Sequence, residues 1–133
     1  MSHAAVSRYQ QNDVFSMSPA KRVVFLYGQV LVNLRQAGRH IAARDIEARS
    51  RCLLRAHDIV AELLATLDLE QGGSVATSLA QLYGWVLQEI AVVDRTMNAA
   101  RLEKLVALVA ELHAAWDQAE QQLREPAPAT QGA

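Results

Sequence analysis

The sequence predicts an all-α protein: an antiparallel four-helix bundle with an extended N-terminal arm and a short disordered C-terminal tail. Four segments carry apolar residues at three- and four-residue spacings, which is the period of one face of a helix. Short stretches of capping and turn residues separate these segments, and such connections favour antiparallel neighbours. No segment alternates as a strand does. A length of 133 residues fits one domain around one core.

The first helix is predicted to begin at Ser18-Pro19. A serine side chain can cap the free N–H groups of the first turn, and proline suits the first helical position. The apolar stripe that follows consists of Val23, Leu26, Tyr27, Val30, Leu34, Ala37 and Ile41.

The second helix, with Asp45 as its predicted cap, has an unusually wide apolar arc. At about 100° per residue its apolar residues spread over roughly 220°, whereas a core-facing stripe needs only about 100° or a little more. The helix is therefore either central and covered on two sides or leaves a groove open. The residues of the arc are Leu53, Leu54, Ala56, Ile59, Val60, Leu63, Leu64 and Leu67.

Two glycines, Gly72 and Gly73, mark the clearest break in the chain, and Ser74 is predicted to cap the third helix. Asn98 marks the next break, and Pro126 and Pro128 end regular structure. The third stripe is Val75, Leu79, Leu82, Tyr83, Val86, Ile90, Val93 and Met97, and the fourth is Leu102, Leu105, Val106, Val109, Leu112, Trp116 and Leu123. These boundaries divide the chain into an arm (1–18), a helical bundle (19–124) and a flexible tail (125–133).

The charge of the chain is small overall but unevenly placed. Residues 1–57 carry nine basic and three acidic side chains, while residues 58–133 carry four basic and eleven acidic ones. Either the two halves attract each other within the fold or the first half presents a basic surface. The second possibility makes a nucleic-acid-binding helical domain the alternative function, using the segment Arg35 to Arg55 (Arg35, Arg39, Arg44, Arg49, Arg51 and Arg55).

The sequence favours a cytoplasmic location. The N-terminus lacks the apolar stretch of a secretory signal, and no apolar run approaches the roughly 20 residues of a membrane span. The single cysteine, Cys52, excludes an internal disulfide and is expected to be a buried structural thiol.

No catalytic constellation, metal site or cofactor site is expected, and the protein is predicted not to be an enzyme. The bundle lacks the Glu-x-x-His pairs of helical metal sites, and its four histidines do not pair at i, i+4. Gly72-Gly73 is too short for a phosphate-binding loop.

Apolar residues away from the core stripes indicate a binding surface for a partner segment. Phe25 and Val32 lie nearly opposite the first stripe, and Trp85 lies off the centre of the third. Ile59 and Leu63 lie toward one edge of the second arc and are expected to contact a partner as well as the core. Contiguous exposed apolar surface favours an amphipathic partner that docks as a helix in a groove.

The arm is predicted to act as a lid. Tyr9, Val14 and Phe15 are apolar residues in a segment without a helical or strand period, so any order in it must come from docking on the bundle. Because the arm would use the apolar surface that a partner uses, Tyr9 is also a candidate partner-binding residue.

The order of these features resembles the flagellar export chaperone family FliS. The resemblance runs from about Tyr9 to Ala119 and includes Ser18-Pro19 and Leu26-Tyr27. It is most specific from Leu67 to Tyr83, where Leu67-Asp68 is followed by Gly72-Gly73-Ser74 and Leu82-Tyr83. The chain departs from the family pattern at Gly28-Gln29 and Gly84, where the family usually has an acidic residue.

The resemblance implies that the protein binds the disordered C-terminal segment of flagellin in the bacterial cytosol. It would prevent premature polymerisation and keep the subunit competent for flagellar type III secretion, with components of the export apparatus as further partners. A disordered client loses conformational entropy when it binds, so the chaperone must offer a long apolar surface in return.

Overall fold

The four predicted helices are present in the structure, a computed structural model that describes residues 17–125. They are α1 (Pro19–Ala42), α2 (Ile46–Ala65), α3 (Gly73–Thr96) and α4 (Ala99–Arg124), and the described residues contain no strand. Connections of three, seven and two residues make successive helices antiparallel. The prediction of an all-α four-helix bundle is confirmed.

Three of the helices begin at the residues that the sequence indicated. Ser18 Oγ accepts a hydrogen bond from the backbone N–H of the third residue after it at 3.2 Å, and Pro19 follows at the first helical position. Asp45 and Asn98 accept equivalent bonds at 3.1 and 3.0 Å and thereby cap α2 and α4. Each cap satisfies an N–H that has no partner within the helix.

The prediction that Ser74 caps the third helix is wrong. α3 begins two residues earlier than that cap implies, with Gly72 at the cap position and no side-chain cap. Gly73 has φ +57°, a left-handed conformation that glycine adopts at no steric cost, and the N–H of Gly72 bonds to Asp68 O at 2.8 Å. A Cβ at Gly72 would lie 2.6 Å from the Cβ of Ala76. The Asp68 carboxylate also accepts the N–H groups of Glu70 and Gln71, so its side chain and the two glycines together close the turn.

The core lies where the stripes meet, and its packing is uneven around the bundle. α1 packs closely against both α2 and α4, α2 packs against α3, and α3 and α4 pack least against one another. The most completely buried side chains come from all four helices: Val30, Leu34, Leu53, Val93 and Leu105. Val75, Met97 and Leu123 belong to predicted stripes but are exposed, because they lie at or just beyond helix ends where no neighbouring helix covers them.

A polar contact lies inside this core. The hydroxyl groups of Tyr27 and Tyr83 are 2.5 Å apart, and both residues are 3% exposed. Trp116 stacks on Tyr27 with ring centroids 6.2 Å apart, so α1, α3 and α4 meet in one aromatic layer. Burial raises the pKa of both tyrosines above the ordinary value of about 10, which keeps the hydroxyls neutral.

The close approach of α1 and α4 depends on a residue without a side chain. A Cβ added at Gly28 would lie 3.3 Å from Nε2 of His113, closer than an ordinary van der Waals contact. Further along the same pair of helices, Gly38 lies against the side chain of Leu102. The α1–α4 packing therefore uses the volume that a side chain would otherwise fill.

Removing either hydroxyl of the tyrosine pair is expected to destabilise the fold by about 1–3 kcal/mol, because the remaining hydroxyl is left buried without its partner. The Tyr27→Phe/Tyr83→Phe double variant is expected to lose less than the sum of the two single variants. Urea unfolding of the four proteins measures this cycle. Additive losses would show that the two hydroxyls do not stabilise each other.

Candidate functional site

The surface between α3 and α4 carries the most distinctive exposed side chain. Trp85 is 46% exposed and lies at the rim of a cleft of about 480 Å³ between the two helices, which we call the α3–α4 cleft. Leu105, buried in the core, forms its base. The residues that line the cleft are Trp85, Glu89, Asn98, Ala100, Arg101, Lys104 and Leu105.

An ion pair fixes the two walls of this cleft. Arg101 donates from Nε and from a terminal guanidinium nitrogen to the two carboxylate oxygens of Glu89, both at 2.8 Å. The hydrogen bonds from Arg101 lower the pKa of Glu89, and the pair raises the pKa of Arg101. This bidentate contact joins the helices where apolar packing is sparse, and it holds Trp85 beside a charged rim. The sequence analysis missed the pair, since residues twelve positions apart on two helices share no local pattern.

The outer face of α1 carries the second set of predicted contact residues. Phe25 is half-buried and Val32 is 45% exposed. The two residues are seven positions apart, so they lie on the same side of the helix about two turns from one another. The structure therefore places them on a different helix face from the one that packs on the core.

The α2 arc divides into a buried part and an exposed part. Leu63 is 3% exposed and belongs to the core, so it offers almost no surface to a partner, whereas Ile59 is half-buried at the edge of the core. Leu54 is 60% exposed, although the sequence analysis did not name it as a contact residue. The wide apolar arc of α2 has two causes. The helix is covered on two sides, by α1 and α3, and part of the arc is also left exposed.

The arm residues Tyr9, Val14 and Phe15 lie outside the described residues. The lid formed by these three residues stays a prediction, and so does the contact of Tyr9 with a partner.

The six arginines of the Arg35–Arg55 segment do not share one surface. Arg49 is buried, and its guanidinium contacts Asp94 of α3 at 3.2 Å, where Ser50 also donates to that carboxylate. Arg35 and Arg39 line a groove between α1 and α4, and Arg44 lines a cavity at the α1–α2 turn. Arg39 also lines a groove between α1 and α2, together with Arg51 and Arg55. Four of the six arginines therefore line two adjoining grooves, while Arg44 lies at the turn and Arg49 is buried in its ion pair.

Neither membrane-crossing helices nor metal-binding clusters occur in the described part of the chain. Between residues 17 and 125, no helix has the length and apolar character to cross a membrane. The same residues contain no group of three His, Cys, Asp or Glu side chains placed to hold a metal ion.

These features define a class of protein: a small four-helix bundle with apolar and charged clefts on its surface. Comparisons with known proteins specify the class further. A sequence profile described as flagellar protein FliS matches residues 1–123, so the chain belongs to the FliS family.

Relatives and a solved structure agree with this assignment. A flagellar secretion chaperone FliS of Campylobacter jejuni is 33% identical over 84% of this chain and 88% of its own length. The chaperone of the same name from Salmonella typhimurium is 28% identical over 81% of each chain. The crystal structure of a bacterial flagellar chaperone superposes with a TM-score of 0.73 at 22% identity, covering 90% of this chain and 97% of the other, which supports the fold.

The ion pair of the α3–α4 cleft should make stability depend on acid pH. Glu89 has a lower pKa in the folded state than in the unfolded state, so its charged form stabilises the fold. This contribution to the free energy of unfolding is fully present above the unfolded pKa of about 4.3, and it is lost as the pH falls through the lower folded pKa. We expect Glu89→Gln to be less stable than the parent protein at pH 7 and equal to it at strongly acid pH. Thermal unfolding followed by circular dichroism across pH 2–7 measures this difference. A gap that is constant with pH would show that the carboxylate charge contributes nothing.

Proposed function

We propose that this chain is a cytoplasmic, flagellin-specific export chaperone. It binds the disordered C-terminal segment of flagellin, prevents premature polymerisation and keeps the subunit competent for flagellar type III secretion. It acts by binding, without catalysis and without a cofactor, and components of the export apparatus are its further partners. Membership of the FliS family is the observation that carries this proposal.

The distribution of apolar surface supports an extended client. Trp85 lies in the α3–α4 cleft, Phe25 and Val32 lie on the outer face of α1, and Ile59 lies at an edge of α2. No single cleft contains all four residues. A client that is disordered when free can follow such a surface around the bundle, and each apolar contact offsets part of the entropy lost on ordering.

The α3–α4 cleft is the strongest candidate for the anchoring contact. A half-exposed tryptophan combines large apolar area with few rotatable bonds, and such residues dominate the binding energy of many interfaces. The cleft also has a buried apolar base and a charged rim, which together can orient a helix. We therefore assign the anchor to Trp85 and secondary contacts to Ile59, Phe25 and Val32.

Titration calorimetry with the C-terminal segment of flagellin tests the proposed client. One segment is expected to bind per chain, in the presence of a chelator and without nucleotide, with a negative heat-capacity change that marks apolar burial. The matched control is an N-terminal flagellin segment of equal length. The absence of binding at micromolar concentrations, or equal binding of the control segment, would refute the proposal.

Trp85→Ala is expected to weaken binding of this segment by about 1–3 kcal/mol, roughly five- to 150-fold in Kd, because it removes the anchor. The matched control is Leu54→Ala, an exposed apolar residue on another face, which should change Kd less than about threefold. Leu63→Ala should instead lower stability by about 2–5 kcal/mol, since that side chain is core. Equal effects of Trp85→Ala and Leu54→Ala on Kd would remove the cleft from the binding site.

A further inference from the structure

The groove between the C-terminal half of α1 and the N-terminal half of α2 has the composition of an anion-binding site. It has a volume of about 530 Å³, and we call it the basic groove. Its base contains the small buried side chains Ala48 and Cys52, and its walls carry Arg39, Arg51 and Arg55. The remaining lining residues are Gln36, His40 and Asp45.

The three arginines of this groove are not neutralised within the described part of the chain. The ion pairs among residues 17–125 use Arg49, Arg101, Arg124 and His57, and none uses a groove arginine. The one carboxylate in the lining, Asp45, accepts the N–H that caps α2 and offsets only part of the charge of the three arginines. Like charges held along one groove repel each other, so the site gains stability from an external anion.

The spacing of the arginines fits carboxylates carried on a helix. Arg51 and Arg55 are four positions apart on α2, which places their Cβ atoms about 6 Å from each other on one face. Arg39 faces them from α1 across the groove. Two acidic side chains at i and i+4 of a partner helix have the same spacing, and the planar guanidinium group pairs with a carboxylate through two parallel hydrogen bonds.

The same groove is poorly suited to nucleic acid. Its lining contains no Phe, Tyr or Trp on which a base could stack. Arg35 extends the basic lining from Arg39 into the adjoining α1–α4 groove, but that groove also contains Glu103. Arg49 is paired with Asp94, so few arginines are available for the phosphate contacts of a duplex. The acidic second half of the chain would also repel a long polyanion.

We propose that the basic groove binds an acidic helical segment of a partner protein, at a site separate from the α3–α4 cleft. Arg39, Arg51 and Arg55 pair with carboxylates of that segment, while Ala48 and Cys52 allow its backbone to approach closely. Trp85 of the cleft is on α3 and the groove lies between α1 and α2, so the client anchor and the acidic partner contact different helices. Val32 lies seven positions before Arg39 on the same side of α1, so a client that reaches Val32 approaches the groove along that helix.

Fluorescence anisotropy with model ligands tests this proposal on the full-length protein. The probes are a labelled 16-residue alanine-based helical peptide with glutamates at i, i+4 positions, its glutamine counterpart, a 16-nucleotide single strand and a 16-base-pair duplex. The glutamate peptide is expected to bind best, with an affinity that falls by at least about tenfold between 50 and 200 mM salt. Tighter binding of either nucleic acid, or equal binding of the glutamine peptide, would overturn the proposal.

Variants locate the site and separate it from the client site. Arg51→Glu/Arg55→Glu is expected to weaken glutamate-peptide binding at least about tenfold, whereas Arg95→Glu, at an exposed arginine on α3, should change it less than about twofold. Thermal unfolding monitors the fold, and Arg51→Gln/Arg55→Gln repeats the test without added acidic charge. Equal effects of the α2 and α3 variants, or displacement of the peptide by one equivalent of the flagellin segment, would refute a separate site.

Discussion

The close packing of α1 against α4 is the constraint on which the rest of this structure depends. Gly28 allows the side chain of His113 to approach closely, whereas a Cβ at Gly38 would make only an ordinary van der Waals contact with Leu102. α4 is thereby held against α1, and the core fills around their contact through Leu34 and Leu105. Of the helix pairs in contact, α3 and α4 are the least closely packed.

The α3–α4 cleft lies where the helices are least closely packed. Where α3 and α4 separate, polar contacts replace apolar ones: the Glu89–Arg101 pair joins the helices, and Trp85 is left half-exposed beside it. Deeper in the bundle, the Tyr27–Tyr83 contact and the stacking of Trp116 connect α1, α3 and α4. These buried contacts hold the core in one arrangement, while α3 and α4 leave a cleft between them. The cleft is therefore preformed, and the core need not rearrange when a partner binds.

Local features of the sequence were sufficient for the helices but not for the surfaces. Ser18, Asp45 and Asn98 act within three residues of themselves, so their positions could be predicted. The prediction of Ser74 as the cap failed because the left-handed Gly73 begins the helix two residues earlier than that cap implies. Leu63 and Ile59 belong to the same apolar arc of α2. The positions of the neighbouring helices decide that Leu63 is buried while Ile59 is only half-buried, and the sequence of α2 alone does not contain that information.

The same limit applies to charge. Six arginines within 21 residues indicate a basic segment, but their division among three surfaces and one buried ion pair depends on the rotation of α1 and α2 within the bundle. The sequence likewise contains no local pattern that pairs Glu89 with Arg101. Long-range contacts of this kind determine which exposed residues lie together, and that arrangement decides what a surface can bind.

The most direct test of the central claim, that the α3–α4 cleft receives the client, is an NMR titration of the two tryptophan indole N–H signals with the flagellin C-terminal segment. Trp85 is exposed at the cleft, and Trp116 stacks on Tyr27 and serves as an internal reference. The account predicts that the Trp85 signal shifts and saturates at one equivalent of segment while the Trp116 signal moves much less. A saturating complex that leaves the Trp85 signal unchanged would contradict it.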